Sequence, residues 1–251
     1  MKLTIVGCAG SYPGPESPAS CYLVQDEYEG RTWSIILDMG NGALGALHRY
    51  VDPLEIDAVF LSHLHADHCI DMTSYYVLRK YHPTGAQPQL PVWGPRGSER
   101  RLSKAYDLPK GGMTEEFEFH RYGAPIHIGP FTIEAREVEH PVTAYAMRIT
   151  VGDKVLAYTG DSGVTPVLNE IAAHADLLLA EASFLEGADN PPALHLTGRE
   201  AATLADESGA RRLVLTHMPA WHDHEQIVAD AHAGPFKGPI HVAEAGATYK
   251  I

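Results

Sequence analysis

The chain has 251 residues, long enough to bury one sizeable core. Apolar residues make up 45% and charged residues 20%, an ordinary globular composition that excludes a disordered or fibrous chain. The formal charge of −13 disfavours a general nucleic-acid coat or a polybasic membrane binder, because phosphate-rich surfaces would repel it.

Leu3–Gly7, Cys21–Val24 and Trp33–Leu37 read as short strands separated by Gly/Pro/Ser-rich turns. A short helix is expected over Ala43–Tyr50 after the turn Asp38-Met-Gly-Asn-Gly, then a buried strand at Ala58–Leu61. Ala66–Tyr81 is helical in pattern and stops before Pro83. From Pro83 to Gly129 the chain is punctuated by Pro and Gly and yields no assignment. Phe131–Val138, Ala144–Val151 and Val155–Tyr158 read as strands, and Thr165-Pro166 opens a helix to about His174. Asp176–Ala180 reads as a buried strand. Thr197-x-x-Glu200 is a capping box for a helix ending near Ser208. Leu213–Thr216 is a further strand, His222–His232 a helix, and the tail one or two last strands. Strands and helices interleave in both halves without repeat or linker, so a single α/β domain over 1–251 with mixed sheets is expected.

No apolar run reaches the ~18 residues of a membrane helix. The apolar stretch after Lys2 is broken by Ser11, Pro13 and Pro15, too early for a signal-peptide core. Cys8, Cys21 and Cys69 are widely spaced with no CxxC pair, which points to a reducing, cytoplasmic setting rather than a disulfide scaffold. Arg79 to Lys110 holds seven basic residues and two acids. It reads as a solvated helix face, with a phosphate-facing patch as the alternative.

Histidine is the outlier, at 15 residues. The strand at Ala58–Leu61 runs into Ser62-His63-Leu64-His65-Ala66-Asp67-His68. An extended backbone points His63 and His65 the same way, while Asp67 and His68 diverge where a helix begins. Two metal sites are the simple geometric solution. Imidazole and carboxylate ligands together suit Zn²⁺ best, with Mn²⁺ or Fe²⁺ as alternatives. His140, Asp161 and His217 also follow strands. They complete a set of His63, His65 and His140 on one ion and Asp67, His68 and His217 on the other, bridged by Asp161. Gly7-x-x-Gly10 lacks dinucleotide-binding spacing and reads as a turn. Ser20 and Cys69 have no base at a meaningful spacing, and Trp221–Glu225 reads as a solvent-facing helix start, with a pocket rim as the alternative.

The run His63-x-His65-x-Asp67-His68, followed in order by His140, Asp161 and His217, resembles the metallo-β-lactamase superfamily across essentially the whole chain. That resemblance implies an αββα sandwich with a dinuclear site at the mouth between the sheets. Leu177–Phe184, containing Glu181, resembles the ribonuclease Z segment whose glutamate orients a catalytic histidine, here His195. The pair implies a phosphodiesterase rather than a lactamase. Ribonuclease Z carries an RNA-gripping arm between the positions of His140 and Asp161, but only 20 residues separate them here. The missing arm argues for a small phosphodiester over nucleic acid. The opening Leu3–Ser20 further resembles an actinobacterial group of atypical class II cyclic-nucleotide phosphodiesterases. The implied reaction is hydrolysis of a 3′,5′-cyclic nucleotide to a 5′-monophosphate by a metal-bridging hydroxide, often in a homodimer. Asp67 would position that hydroxide, and His195, held by Glu181, would protonate the departing O3′. A tRNA 3′-processing nuclease, a thioester or lactam hydrolase and a catalytically dead scaffold are the rival readings.

Overall fold

The computed structural model describes residues 1–251. Its strands are β1 (Lys2–Gly7), β2 (Ala9–Gly10), β3 (Cys21–Tyr28), β4 (Arg31–Leu37), β5 (Ala58–Phe60), β6 (Leu90–Gly94), β7 (Phe117–Arg121) and β8 (Ile126–Ile128) in the first half. The second half adds β9 (Phe131–Val138), β10 (Ala144–Val151), β11 (Lys154–Tyr158), β12 (Leu177–Glu181), β13 (Leu213–Thr216), β14 (Met218–Pro219), β15 (Ile240–Val242) and β16 (Thr248–Lys250). The helices are α1 (Ala43–Leu47), α2 (Ala66–Cys69), α3 (Met72–Tyr81), α4 (Ser98–Ala105), α5 (Pro166–Ala172), α6 (Gly198–Glu207) and α7 (His224–His232).

Two seven-stranded mixed sheets result, in the orders β16-β1-β3-β4-β5-β6-β7 and β15-β13-β12-β11-β10-β9-β8. Each begins as antiparallel ribbons and continues as parallel strands, β4 to β7 in one and β11, β12, β13 and β15 in the other. Parallel neighbours need crossover connections, and in most cases these carry the helices. The sequence expectation of an αββα sandwich holds, because both sheets are buried on both faces. In β4, Ile35 and Leu37 pack between the sheets while Ile36 packs under the helices of its own side. In β12, Leu177 and Leu179 face the inter-sheet core, whereas Leu178 and Ala180 face α5 and α6. Such strands read as continuous apolar runs rather than alternating ones. No helix is long and apolar enough to cross a membrane.

The strands Phe131–Val138, Ala144–Val151 and Leu213–Thr216 lie where the pattern puts them, as does the capping box, where Thr197 Oγ1 accepts from Glu200 N and Glu200 accepts from Thr197 N. The helix expected over Ala66–Tyr81 is two helices. Asp71 keeps a helical backbone (φ −71°, ψ −6°), but its N–H bonds Met39 O instead of a carbonyl of the preceding turn, and its side chain accepts from Leu44 N at the start of α1. Helix α1 stops at Leu47 and α5 at Ala172, and α7 begins at His224, capped by Asp223, rather than at His222. The unassigned stretch after Pro83 contains β6, α4, β7 and β8, all too short for a hydrophobic period to register. A two-residue parallel pair, Met218 opposite Ala9 and Pro219 opposite Gly10, ties the first turn of the chain to the residues after β13.

Candidate metal centre

The nine residues singled out in the sequence meet at one edge of the sandwich. His63 lies beyond the end of β5, and His65 is the extended residue just before α2, whose first turn carries Asp67 and then His68. His140 follows β9, Asp161 follows β11, Glu181 ends β12 and His217 follows β13. His195 comes from the loop before α6. Carboxyl ends of parallel strands gather here, the usual place for a site in an open α/β sheet. His217 adopts a left-handed backbone (φ 56°) and Gly10 lies against it, where an added Cβ would stand 2.2 Å from His217 O.

Two donor groups result, His63–His65–His140 and Asp67–His68–Asp161–His217. In the first, His65 Nδ1 is 3.0 Å from His63 Nε2 and 3.3 Å from His140 Nε2. In the second, His217 Nε2 is 3.0 Å from His68 Nε2 and 3.1 Å from Asp67 Oδ2. Tetrahedral ligation at metal–nitrogen distances of about 2.0–2.1 Å puts neighbouring donors about 3.3–3.4 Å apart. The observed spacing is close to that. Asp161 stands between the groups, Oδ1 3.2 Å from His68 Nε2 and Oδ2 3.7 Å from His63 Nε2. Its buried Oδ1 has no hydrogen-bond partner.

The outward nitrogens settle which way the lone pairs point. His63 Nδ1 meets Ser62 Oγ (3.0 Å), His68 Nδ1 meets Asp38 Oδ2 (2.8 Å), His140 Nδ1 meets Leu194 O (2.9 Å) and His217 Nδ1 meets Ser183 Oγ (2.8 Å). Each ring donates outward and turns an unprotonated Nε2 inward. Lone pairs facing one another at 3 Å repel unless a cation lies among them, so the residues fit a metal. Burial above all holds His63, His65 and His140 below the ordinary imidazole range, which keeps them neutral and ready to ligate. Burial would raise the carboxyls of Asp67 and Asp161, but His217 and His68 hold both well below the usual range. His68 moves the other way, because Asp161 and Asp38 outweigh its burial; without a metal they favour a proton on its Nε2, the place a metal cation would take.

Glu181 and His195 form a separate pair beside the two groups. Glu181 is fully buried and takes Ser162 N–H on Oε1 and Ser183 O–H on Oε2, both at 2.8 Å. His195 Nδ1 lies 3.0 and 3.1 Å from the two oxygens. Its Nε2 is thereby left free, and the ring stands between those of His140 and His217 with Phe184 against it. Burial would lower the imidazole, yet the Glu181 carboxylate raises it to about 9. Glu181, His195 and His217 are also close enough to hold an ion, but both Glu181 oxygens are already occupied. The arrangement suits proton transfer better.

Three residues that sequence reasoning missed support the site. Asp38, noted only as part of a turn, accepts from Ser62 N (2.6 Å), Ser62 Oγ (2.7 Å), His68 Nδ1 (2.8 Å) and Tyr158 OH (2.7 Å). Ser62 and Ser183 relay carboxylates to ligand-group histidines. Their only signal in the sequence is adjacency to His63 and Glu181. Cys8, Cys21 and Cys69 are all free thiols. Of the seven basic residues from Arg79 to Lys110, Arg96, Arg100, Arg101, Lys104 and Lys110 are exposed on and around α4, as a solvated face would be. Arg79, however, is buried and donates to Pro88 O, and Lys80 is half-buried beside Glu116.

Residues 34–218 match the family model described as "Beta-lactamase superfamily domain". The Mycobacterium tuberculosis protein Rv1339 is 39% identical, over 100% of this chain and 92% of its own. The probable metallo-hydrolase YhfI of Bacillus subtilis is 32% identical over 98% of each chain. The crystal structure of YhfI superposes with a TM-score of 0.88 at 31% identity, covering 99% of this chain and 98% of that one. A ribonuclease Z of Myxococcus xanthus is 26% identical over 100% of this chain and 98% of its own.

The Asp38 cluster predicts a defect without loss of any inward-facing donor. Asp38→Asn puts an amide N–H₂ where four donors converge, so His68 and Ser62 lose their anchor. Zinc affinity, read by competition with a chromogenic chelator, should fall about 10- to 100-fold while the far-ultraviolet circular dichroism stays native. Unchanged affinity would remove Asp38 from the account of the site.

Proposed function

The chain belongs to the β-lactamase superfamily, and on that premise we propose that this metallo-hydrolase is a dinuclear phosphodiesterase of 3′,5′-cyclic nucleotides. The observation that carries the reading is the Glu181–His195 pair, a histidine held protonated beside the donor groups yet not needed in either of them. Cleaving a phosphodiester with an unactivated sugar alcohol calls for an acid at the leaving oxygen. His63, His65 and His140 would hold one ion and Asp67, His68 and His217 the other, with Asp161 shared. Zn²⁺ matches the mixture of imidazoles and carboxylates. When bound, the ions supply Lewis acidity toward phosphoryl oxygens and a water whose pKa is lowered to about 7.

The remaining steps belong to the chain's own residues. Asp67, 11% exposed and held anionic, accepts a hydrogen bond from the attacking water and aims it at phosphorus. The new P–O bond forms in line with the breaking P–O3′ bond. His195 Nε2 gives its proton to O3′, leaving a 5′-monophosphate and a free 3′-hydroxyl. Glu181 keeps the imidazole oriented through Nδ1 and charged at neutral pH. The rival, an RNA 3′-processing nuclease, would need surface for a long polyanion. Strands β9 and β10 are joined by five residues (139–143) and β10 and β11 by two (152–153), which supports a small substrate.

Three outcomes test the reading. Elemental analysis should give close to two transition-metal ions per chain; Asp161→Ala should deplete both, and His140→Ala mainly one. Metal-loaded protein should hydrolyse cAMP or cGMP with far higher kcat/KM than it cleaves pre-tRNA, and the reverse order would install the nuclease.

His195→Ala should keep metal content while kcat on cAMP falls about 10²–10⁴-fold. Because the proton must be on His195, wild-type kcat should decline as pH rises toward and through about 9, and the variant should lack that limb. Bis(p-nitrophenyl) phosphate, whose leaving group needs no proton, should be spared. Equal slowing of both substrates would make His195 a ligand or an anchor instead.

A further inference from the structure

Two exposed aromatic side chains with no catalytic task sit on the segments that flank His217. Tyr12 is 40% and Trp221 59% exposed. Their ring centroids are 5.1 Å apart with planes inclined at 32°. The fold brings them together through the β2–β14 pair. Gly10 lies opposite Pro219 in parallel register, and each ring sits two residues beyond that pairing. The same stem holds the site. Ser11 N–H, next to Tyr12, points at the metal-facing Nε2 of His217 at 3.4 Å, and β14 follows His217 directly. Ala220 and His222, on either side of Trp221, line a separate cleft of which neither aromatic ring is a wall.

We propose that Tyr12 and Trp221 form a stacking platform for the nucleobase of the substrate, an inference that rests on the phosphodiesterase reading above. A nucleotide has one anionic end and one flat, uncharged end. The donor groups and His195 serve the anionic end. For the flat end, an uncharged π-surface carried on the segments beside His217 is a suitable receptor, since every base presents a π-face. A tryptophan kept largely in water sacrifices burial, and a base laid on it would restore that contact. Such a platform would discriminate nucleotides from simple phosphodiesters without selecting strongly among bases.

The test compares cAMP with methyl ribofuranoside 3,5-cyclic phosphate, which has a methoxy group in place of the base. Wild type should prefer cAMP. Trp221→Ala should raise KM for cAMP about 5- to 150-fold with kcat little changed, collapsing that preference. Trp221→Phe, which keeps a ring, should restore most of it. Unchanged preference in Trp221→Ala overturns the platform. So does a change in sedimentation behaviour, which would make the pair a contact between copies of the chain. If wild type hydrolyses neither cyclic phosphate, the reading of the reaction fails, and the platform is judged on binding. AMP should then quench Trp221 fluorescence, measured against Trp221→Phe as baseline, and ribose 5-phosphate should not. Equal or absent quenching overturns it.

Discussion

The buried carboxylate of Asp38 is the interaction on which the metal centre depends. It follows β4 in the first sheet, yet one of its oxygens accepts from Tyr158 at the end of β11 in the second. The same group fixes Ser62, and through it His63, and fixes His68 directly. An isolated ionised carboxyl in an apolar interior is costly, and here four donors offset that cost. The offset also constrains the backbone. Asp38 takes a left-handed conformation (φ 59°), tolerated more readily by Asp than by most residues, so that its side chain reaches inward. One anion thus clamps the two sheets at their open edge and sets the tautomer of two inward-facing histidines.

The two donor groups are electrostatically unequal. One is three neutral imidazoles; the other is two carboxylates with two imidazoles. A cation entering the second group meets formal negative charge, whereas in the first it meets only lone pairs. Asp161 reduces the imbalance, since one oxygen faces His68 and the other is within 3.7 Å of His63. Its unpartnered buried oxygen would be a liability in a purely structural role. In a shared ligand it is the point of the arrangement.

Most of this centre was legible in the sequence because its logic is local. His63 and His65 owe their common direction to two-residue alternation, and Asp67 and His68 their divergence to a helix start. His140, Asp161 and His217 each follow a strand that its apolar run reveals. The support was not legible. Asp38 acts on Tyr158, 120 residues away, and Ser183 on His217, 34 residues away, so no spacing announces either role. The same holds for the fold. At the break between α2 and α3 the Asp71 N–H bonds Met39 O, a tertiary contact that interrupts the hydrogen-bond ladder of an otherwise continuous helical period. Strands of two or three residues, such as β2, β8 and β14, leave no period to detect.

Glu181 joins the two halves of the proposed chemistry. One carboxylate holds His195 through Nδ1 and, through the Ser183 hydroxyl, reaches His217 Nδ1. The Ser183 hydroxyl donates to Glu181 and accepts from His217 Nδ1, so the two histidines are joined through one hydrogen-bonded chain. Against burial, the same carboxylate raises the His195 imidazole to about 9, so His195 and His217 share one buried anion. In the proposed reaction the acid and one donor group would therefore lean on the same carboxylate. A histidine held by an isolated glutamate would lack that link to the donor group.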